Sequence, residues 1–289
     1  MRNIIIILIG FVSILVILSL WGFYTAIHPV RIISKVTPKD FNVPYKDVSF
    51  TTQDGIKISG WFIPSAKPTS KTIILLHGYP ADKGDILASR LFLHKNYNLL
   101  FFDFRYFGES EGNYSTLGKN EVLDLLAAIN YLRSQNINEI GVWGISLGAA
   151  VALMTAPKAP EIKAIVAESS YAKLDWIAYQ YFNIPLLRYP LAELGRLWDI
   201  LFLRIDIKTV SPVDAAKKIN IPVLLIHSKK DDVIPFQNGL ALKEALNHNP
   251  NLNVVFTNTS HGQLIKDIKM TGNIFIVVIF LFCFFQPGF

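Results

Sequence analysis

The sequence predicts an α/β protein with one doubly wound, mostly parallel sheet of eight strands. Short apolar runs alternate with helical patterns through most of the chain, as expected when helices connect successive strands. The predicted strands are continuous and apolar, which is typical of strands buried on both faces of a parallel sheet. They lie at residues 48–51, 56–63, 72–76, 99–102, 140–143, 164–167, 223–226 and 253–256.

The connections between these strands have their own local signals. Asp54-Gly55 predicts a hairpin turn between the first two strands. Residues 121–133 place apolar side chains on one face of a helix, and a less regular helical pattern begins at Leu240 and ends before Pro250. A chain of 289 residues is long enough for one large domain with an insertion, and needs no second core.

The N-terminal segment from Ile4 to Tyr24 is apolar over 21 residues. As a helix it is long enough to cross a bilayer core of roughly 30 Å. A cleaved signal peptide is the alternative, but its apolar core is usually shorter and the residues after Tyr24 form a poor cleavage site. We therefore predict a single-pass membrane anchor at residues 1–27 and a linker at residues 28–47. The charge bias around the anchor is too weak to assign the side of the membrane.

Charge and cysteine content exclude several classes of function. The net charge is +6, but Lys and Arg are scattered and form no basic stripe, which argues against nucleic-acid binding. The single cysteine, Cys283, excludes an internal disulfide and a cysteine metal site. The histidines have no metal-ligand spacing, so we expect no metal. We also expect no organic cofactor, because the serine chemistry described below needs none. The oligomeric state is not predicted.

Between the sixth and seventh strands, the segment from Tyr171 to Ser211 has about forty residues, where a crossover needs only about a dozen. They are rich in Trp, Tyr, Leu and Ile, and we predict a helical lid or substrate wall at residues 172–210, with extra core as the alternative. This insertion interrupts a main domain predicted at residues 48–270. The tail at residues 271–289 contains an apolar run, Ile274 to Phe285, that is too short to cross a bilayer and has no assigned role.

A serine between two glycines joins the fifth strand to an alanine-rich helical segment. Gly144 and Gly148 leave room for a sharp strand-to-helix turn that lifts the Ser146 hydroxyl out of the chain. The following helix offers free N–H groups to a developing oxyanion. The pattern alone fits a nucleophilic serine and an ordinary Gly-Ser turn equally well, and the residues around it favour the nucleophile.

Acidic residues and a histidine follow the last two strands. Asp231 and Asp232 lie on the loop after the seventh strand, and His261 lies on the loop after the eighth. The chain order serine, acid, histidine is that of a catalytic triad on this kind of sheet. Asp231 is preferred as the acid because it precedes Ile234-Pro235 by three residues, with Asp232 and then Glu168 as alternatives.

Together these motifs resemble those of the α/β-hydrolase superfamily, over roughly residues 48–270. Within it, the chain is most similar to the membrane-anchored, serine-aminopeptidase-like and monoacylglycerol-lipase-like branch. The matching segments are the oxyanion loop at 75–79 (LLHGY), the loop at 103–110 (DFRYFGES), the nucleophile elbow at 144–148 (GISLG), the acid loop at 231–235 (DDVIP) and the histidine loop at 261–262 (HG).

The resemblance implies a role for each of these residues. Ser146 would be the nucleophile, His261 the general base, and Asp231 the acid that orients the imidazole. The backbone N–H groups of Tyr79 and Leu147 would form the oxyanion hole.

The resemblance also bears on two other histidines and one tyrosine. The resemblance implies that His77 and His227 support loops and take no part in the reaction. Tyr106 stands where the family usually has glycine, and we expect it to narrow the pocket.

The sequence thus predicts a membrane-anchored serine hydrolase that cleaves ester, thioester or small amide bonds through an acyl-enzyme. The apolar insertion and the anchor favour a lipid-like acyl substrate at the bilayer surface. A peptidase of the same fold is one alternative. A catalytically silent, membrane-tethered scaffold is the other.

Overall fold

The structure is a computed structural model that describes residues 1–182 and 184–262. The chain divides into two compact units. The main unit comprises Val30–Ala172 and the chain from Pro212, and the second unit comprises Met1–Pro29 and Lys173–Ser211. The tail predicted at residues 271–289, with its apolar run from Ile274 to Phe285, lies outside the described residues.

One sheet contains all eight predicted strands, in the order β1-β2-β4-β3-β5-β6-β7-β8. Strand β2 is antiparallel to β1 and β4, and the other neighbours are parallel. The predicted fold class is therefore confirmed. The strands are β1 (Lys46–Thr51), β2 (Lys57–Ile63), β3 (Lys71–Leu76), β4 (Asn98–Phe102), β5 (Glu139–Ile145), β6 (Ile162–Glu168), β7 (Val223–Ser228) and β8 (Leu252–Thr257).

Helices connect the parallel strands, as the alternating pattern predicts. The described residues form α1 (Arg2–Ile27), α2 (Lys83–Arg90), α3 (Glu121–Ser134), α4 (Leu147–Thr155), α5 (Leu174–Tyr181), α6 (Arg188–Trp198), α7 (Pro212–Ala216) and α8 (Phe236–Ala245). A π-helical turn, Asp199–Leu203, follows α6. Short 3-10 segments lie at Pro38–Phe41, Leu91–Lys95, Ala156–Lys158 and Ile207–Thr209.

The local signals hold in the structure. Gly55 has a φ of +85°, and the N–H of Thr52 donates to the carbonyl of Ile56, so the predicted hairpin turn forms between β1 and β2. In α3, Val122, Leu125, Ile129 and Leu132 are buried, as the helical spacing predicts, and Leu126 is half-buried. In β3, Ile73 and Leu75 are fully buried, and burial of each such side chain contributes about 1.5–3 kcal/mol.

The eight strands extend beyond most of the predicted bounds. The largest functional consequence is in β7, which includes His227 and Ser228, two residues that the sequence pattern placed in the following loop. Both side chains are buried, and polar residues do not mark the end of a strand when the fold buries them. Similarly, β5 continues to Ile145, so that the strand leads directly into Ser146.

The second unit joins α1 to the insertion at Lys173–Ser211. The insertion is helical, with α5, α6 and the π-helical turn. Among the described residues, α1 is the one helix long and apolar enough to span a membrane, and a signal sequence has the same features.

Candidate active site

Ser146 occupies a strained turn between β5 and α4. Its φ is +53° and its ψ is −114°, a backbone conformation that residues other than glycine rarely adopt. The Ser146 N–H donates to the carbonyl of Glu168, at 2.8 Å, so the end of β6 holds the turn. This geometry is that of a sharp elbow, which aims the hydroxyl away from the backbone.

The two flanking glycines are required by close backbone contacts. A Cβ atom on Gly144 would lie 2.3 Å from the backbone of Gly148. A Cβ atom on Gly148 would lie 2.7 Å from the carbonyl oxygen of His77 and from Leu76. No side chain fits at either position without movement of the strand or helix. The glycine spacing seen in the sequence thus has a steric cause.

His261 and Asp231 form a hydrogen-bonded pair on the loops after β8 and β7. Nδ1 of His261 lies 2.9 Å from each carboxylate oxygen of Asp231. The same carboxylate accepts the backbone N–H groups of Val233 and Ile234. Burial raises the pKa of Asp231, but the hydrogen bonds from His261 and Ile234 outweigh burial and lower the pKa below 3.8. An ionised carboxylate only accepts, so Nδ1 of His261 donates this hydrogen bond, and in the neutral imidazole Nε2 is then the acceptor.

The two alternative acids have other partners. Asp232 Oδ1 accepts the backbone N–H of His261 at 3.1 Å, so it supports the loop but does not touch the ring. Glu168 forms an ion pair with Arg90 at 2.7 Å and accepts the indole N–H of Trp143. Of the three acids, Asp231 is therefore the one whose carboxylate is hydrogen-bonded to the imidazole of His261.

The histidine loop lies beside the elbow. A Cβ atom on Gly262 would be 3.4 Å from Cδ1 of Ile145, the residue before Ser146. The described hydrogen bonds join His261 to Asp231 but not to the Ser146 hydroxyl. Hydrogen bonds between a nucleophile and its base are often long before substrate binds and shorten in the complex.

The two groups predicted for the oxyanion hole lie next to Ser146. Leu147 is the first residue of α4, where backbone N–H groups have no acceptor within the helix. Tyr79 follows Gly78, and a Cβ atom on Gly78 would be 3.4 Å from Cβ of Ser146. The Tyr79 ring packs edge-on against Phe107.

His77 is buried, and its ring forms hydrogen bonds to two loops. Its Nε2 accepts the N–H of Phe104 at 3.0 Å, and its Nδ1 donates to the carbonyl of Gly78 at 2.7 Å. Burial lowers the pKa of His77, so the ring is neutral. The loop that leads to Tyr79 is therefore tied to the loop after β4.

His227 supports the acid loop in a similar way. Its Nε2 donates to the carbonyl of Ile234 at 2.9 Å. Burial lowers the pKa of His227 as well. This neutral ring holds the segment whose backbone N–H groups bind Asp231.

The loop at residues 103–110 is tightly folded around Asp103. The Asp103 carboxylate accepts the backbone N–H and the ammonium of Lys83, at 2.7 and 2.6 Å. A Cβ atom on Gly108 would be 2.2 Å from this carboxylate. Tyr106 has a φ of +72°, a left-handed conformation that favours glycine, which explains why glycine is usual at this position in the family that the chain resembles.

Sequence reasoning missed the cations that hold this region. Lys83 binds Asp103, 20 residues away, and Arg90 binds Glu168, 78 residues away. Arg105 binds Asp124 and Asp54. No local sequence pattern identifies such distant pairs, although a Lys or Arg in a helix with few other charges is a weak signal.

A metal centre has no support in the described part of the chain. No group of three or more His, Cys, Asp or Glu side chains there is arranged to hold a metal ion.

Comparison with known proteins identifies the family. Residues 109–271 match the model of the prolyl oligopeptidase family, Peptidase_S9. The protein YfhR of Escherichia coli (strain K12) is 33% identical over 204 residues, which cover 67% of this chain and 66% of YfhR. The protein bem46 of Schizosaccharomyces pombe is 28% identical over 211 residues, which cover 69% of this chain and 64% of bem46. The match therefore spans slightly less than two thirds of the length of these relatives.

Solved structures agree with this family. The esterase Pf2001 of Pyrococcus furiosus superposes with a TM-score of 0.76 and 30% identity, covering 90% of this chain and 100% of the esterase. The acylaminoacyl peptidase of Pyrococcus horikoshii, at 20% identity and a TM-score of 0.62, covers 87% of this chain and 44% of the peptidase, and shows the fold alone. The chain thus belongs to the prolyl oligopeptidase family of α/β-hydrolases and is a serine hydrolase of the esterase-like kind.

Proposed function

We propose that this hydrolase cleaves carboxylic esters with Ser146 as the nucleophile, His261 as the general base and Asp231 as the acid that orients the imidazole. The observation that carries the proposal is the part-buried Asp231–His261 pair, at 2.9 Å, whose histidine loop lies beside the strained Ser146 turn. The lowered pKa of Asp231 keeps the carboxylate ionised near neutral pH. It therefore stabilises the imidazolium that forms during the reaction.

In the proposed reaction, Ser146 Oγ attacks the acyl carbonyl carbon while its proton passes to Nε2 of His261. The N–H groups of Leu147 and Tyr79 would bind the resulting oxyanion. The intermediate collapses, the bond from carbon to the leaving oxygen breaks, and His261 returns its proton to the alcohol. A water molecule, deprotonated by His261, then attacks the acyl-enzyme and releases the carboxylic acid and free Ser146.

We further propose that the enzyme works at a membrane on lipid-like acyl substrates. In this proposal residues 1–27 are a membrane anchor, residues 28–47 a linker, and residues 48–270 the catalytic domain with a lid at 172–210. The support is the length and exposure of α1 and the apolar composition of the insertion, whose first helix, α5, begins six residues after the end of β6. We predict a preference for medium or long acyl chains.

A peptidase is the second candidate function, and the match to the prolyl oligopeptidase family favours it. The triad chemistry is the same for an amide and an ester, so the active-site geometry does not separate them. Aminoacyl amides and acyl esters of graded chain length, assayed side by side, separate the two. Fastest turnover of the amides would contradict the ester proposal.

The test of the active serine is labelling by a fluorophosphonate probe, which reacts with activated serines. Membranes containing the full chain should label, and Ser146→Ala should abolish labelling and turnover. Ser169→Ala is the matched control. Ser169 also directly follows a strand, with a positive φ of +51°, and its N–H also donates to the neighbouring strand, at 2.8 Å.

Either of two results would contradict the proposal. One is undiminished turnover in Ser146→Ala, which would assign the reaction to another residue. The other is a folded wild-type protein that neither labels nor turns over esters, which would favour a silent scaffold. Labelling retained in Ser169→Ala would confirm that strand-end strain alone does not activate a serine.

A further inference from the structure

One face of the C-terminal third of α1 is buried within the second unit. Ser19, Gly22, Phe23 and Ile27 are buried, and their spacing places them on one side of the helix. Residues 1–14 are exposed on all sides. The helix therefore has a free apolar part and a part that packs against protein.

The packing partner is the insertion. The indole N–H of Trp198 donates to Ser19 Oγ at 3.0 Å, and the ring of Phe202 stacks on that of Phe23 with centroids 5.9 Å apart. A Cβ atom on Gly22 would lie 2.5 Å from the ring of Phe182, so the insertion closely approaches the α1 backbone there. These contacts extend over more than one turn of α1.

The free part of α1 is too short to cross a bilayer by itself. A core of roughly 30 Å needs about 20 helical residues. The stretch from Ile4, the first apolar residue after Arg2, to Leu18, the residue before the buried face begins, is roughly 22 Å long at about 1.5 Å per residue. A span that starts at Ile4 and has the required length ends near Phe23. Its last turn is the turn that contacts the insertion.

The insertion exposes apolar side chains next to this turn. We call Leu197, Ile200, Leu201 and Phe202 the insertion patch, and Leu201 and Phe202 are 58% and 62% exposed. Phe202 is also the residue that stacks on Phe23, so the patch adjoins the end of the span. Exposed apolar residues that continue from a span are typical of a surface in contact with lipid.

Four charged residues of the insertion form a cluster of ion pairs. Arg196 pairs with Asp206 and Glu193, and Glu193 also pairs with Lys208. Within the patch segment the acidic group is Asp199, and burial raises the pKa of Asp199 to about 7, with a further contribution from Asp206. A carboxyl with this pKa loses its charge at little cost near neutral pH. It therefore opposes contact with lipid less than an ordinary Asp would.

We infer that the insertion patch binds the lipid bilayer, entering the leaflet at the end of the α1 span, so that α1 and the insertion contact the membrane as one body. The inference rests on the proposal that α1 spans the membrane. The ligand is the lipid of the bilayer, since the patch continues from a helix whose exposed side chains are apolar throughout residues 4–9.

The test measures depth in the membrane. The full chain with Cys283→Ser carries one further substitution at a time, Leu201→Cys, Ile9→Cys or Leu240→Cys, and the new cysteine is labelled with the fluorophore NBD. The protein is reconstituted into vesicles of phosphatidylcholine and phosphatidylglycerol that carry a nitroxide on the acyl chain. Leu240 is the matched control, because it is an apolar residue of α8 in the main unit and is 44% exposed. Fluorophosphonate labelling of each variant checks its fold independently of depth.

We expect NBD at 201 to lose most of its emission to the nitroxide and to shift to shorter wavelength, as at position 9, while NBD at 240 does neither. Quenching at 9 without quenching at 201 would overturn the inference and leave the anchor in place. Absence of quenching at 9 would overturn both the anchor and the inference. Equal quenching at 201 and 240 would also overturn it, because the contact would not be particular to the patch.

Discussion

Glu168 and Asp231 are both buried carboxylates, one at the end of β6 and the other on the loop after the neighbouring strand β7. Their partners differ. Glu168 has a cation, Arg90, which also stacks on the ring of Trp143. Asp231 has no Lys or Arg among its described contacts and is held by backbone N–H groups and by the imidazole of His261.

This difference teaches what makes an acid suitable for a triad. A carboxylate that is neutralised by a guanidinium has its charge compensated permanently and holds two elements together. A carboxylate whose neighbour is a neutral imidazole keeps its charge available for the moment when that imidazole gains a proton. The role of each acid is therefore decided by its hydrogen-bond and ion-pair partners, and not by its position along the edge of the sheet.

Asp231→Asn is the strongest test of this comparison. The amide oxygen still accepts the N–H groups of Val233 and Ile234, so we expect the fold to persist. The amide cannot hold the imidazole in the same tautomer, and kcat should fall by about 10⁴-fold. Ester hydrolysis and the thermal midpoint are measured on the same preparation. A kcat within tenfold of the wild type would contradict the assignment of Asp231.

Glu168→Gln should affect stability and leave the chemistry largely intact. It leaves the buried Arg90 without its counter-charge, and loss of one partner of a buried ion pair costs about 3–5 kcal/mol. We expect a large fall in the free energy of unfolding in urea, with kcat of the folded fraction nearly unchanged. The double variant Arg90→Met/Glu168→Leu is the control and should recover much of the stability. A loss of kcat as large as that of Asp231→Asn would instead make Glu168 part of the catalytic machinery.

The neutral histidines predict a pH dependence of stability. Burial lowers the pKa of His77 and His227 below the ordinary value of 6.5, so at these two sites the unfolded chain binds more protons than the folded one. The contribution of each histidine to stability is therefore full above pH 6.5 and falls as the pH decreases below it, by at most about 1.4 kcal/mol per pH unit. Asp124 and Asp199, whose pKa burial raises to about 7, have the opposite effect, so the contribution of one histidine is measured as a difference between variant and wild type. Urea unfolding between pH 5 and 7.5 measures the slope. His227→Gln should remove the contribution of one histidine, up to about 1.4 kcal/mol per pH unit, from the slope of the free energy of unfolding against pH. An unchanged slope would show that the pKa of His227 is the same in the folded and unfolded chains.

Asp232→Asn should have the smallest effect. The side chain accepts one backbone N–H, that of His261, and an amide oxygen can accept it too. We expect a change in kcat of less than tenfold, about 1 kcal/mol or less. Steady-state hydrolysis of one ester is a sufficient measurement. A loss comparable to that of Asp231→Asn would mean that the two neighbouring acids share one role.

Much of the site could be predicted because its signals are local. The elbow is specified by Gly144, Ser146 and Gly148, whose spacing reflects backbone contacts of 2.3 and 2.7 Å at the two glycines. The order of the loops that carry Asp231 and His261 follows from the order of the strands. These features depend on residues close in the chain, so the sequence pattern contains them.

The choice between Asp231 and Asp232 shows where local signals end. The two residues are adjacent, and the sequence favours Asp231 only by its position three residues before Ile234-Pro235, which is a motif and not a physical reason. In the structure one carboxylate turns to the ring and the other to the backbone of the same histidine, 30 and 29 residues away. Only the packing of the two loops separates them.

The sequence by itself determined the eight strands, their helical connections, the elbow glycines and the apolar character of residues 4–24, because each follows from the spacing of residue types within one segment. The tertiary structure decided the pairing of Arg90 with Glu168, the left-handed backbone of Tyr106 and the packing of the insertion on α1. The physical reason is distance along the chain. Ser19 and Trp198 are 179 residues apart, and no periodicity within either segment specifies that they meet.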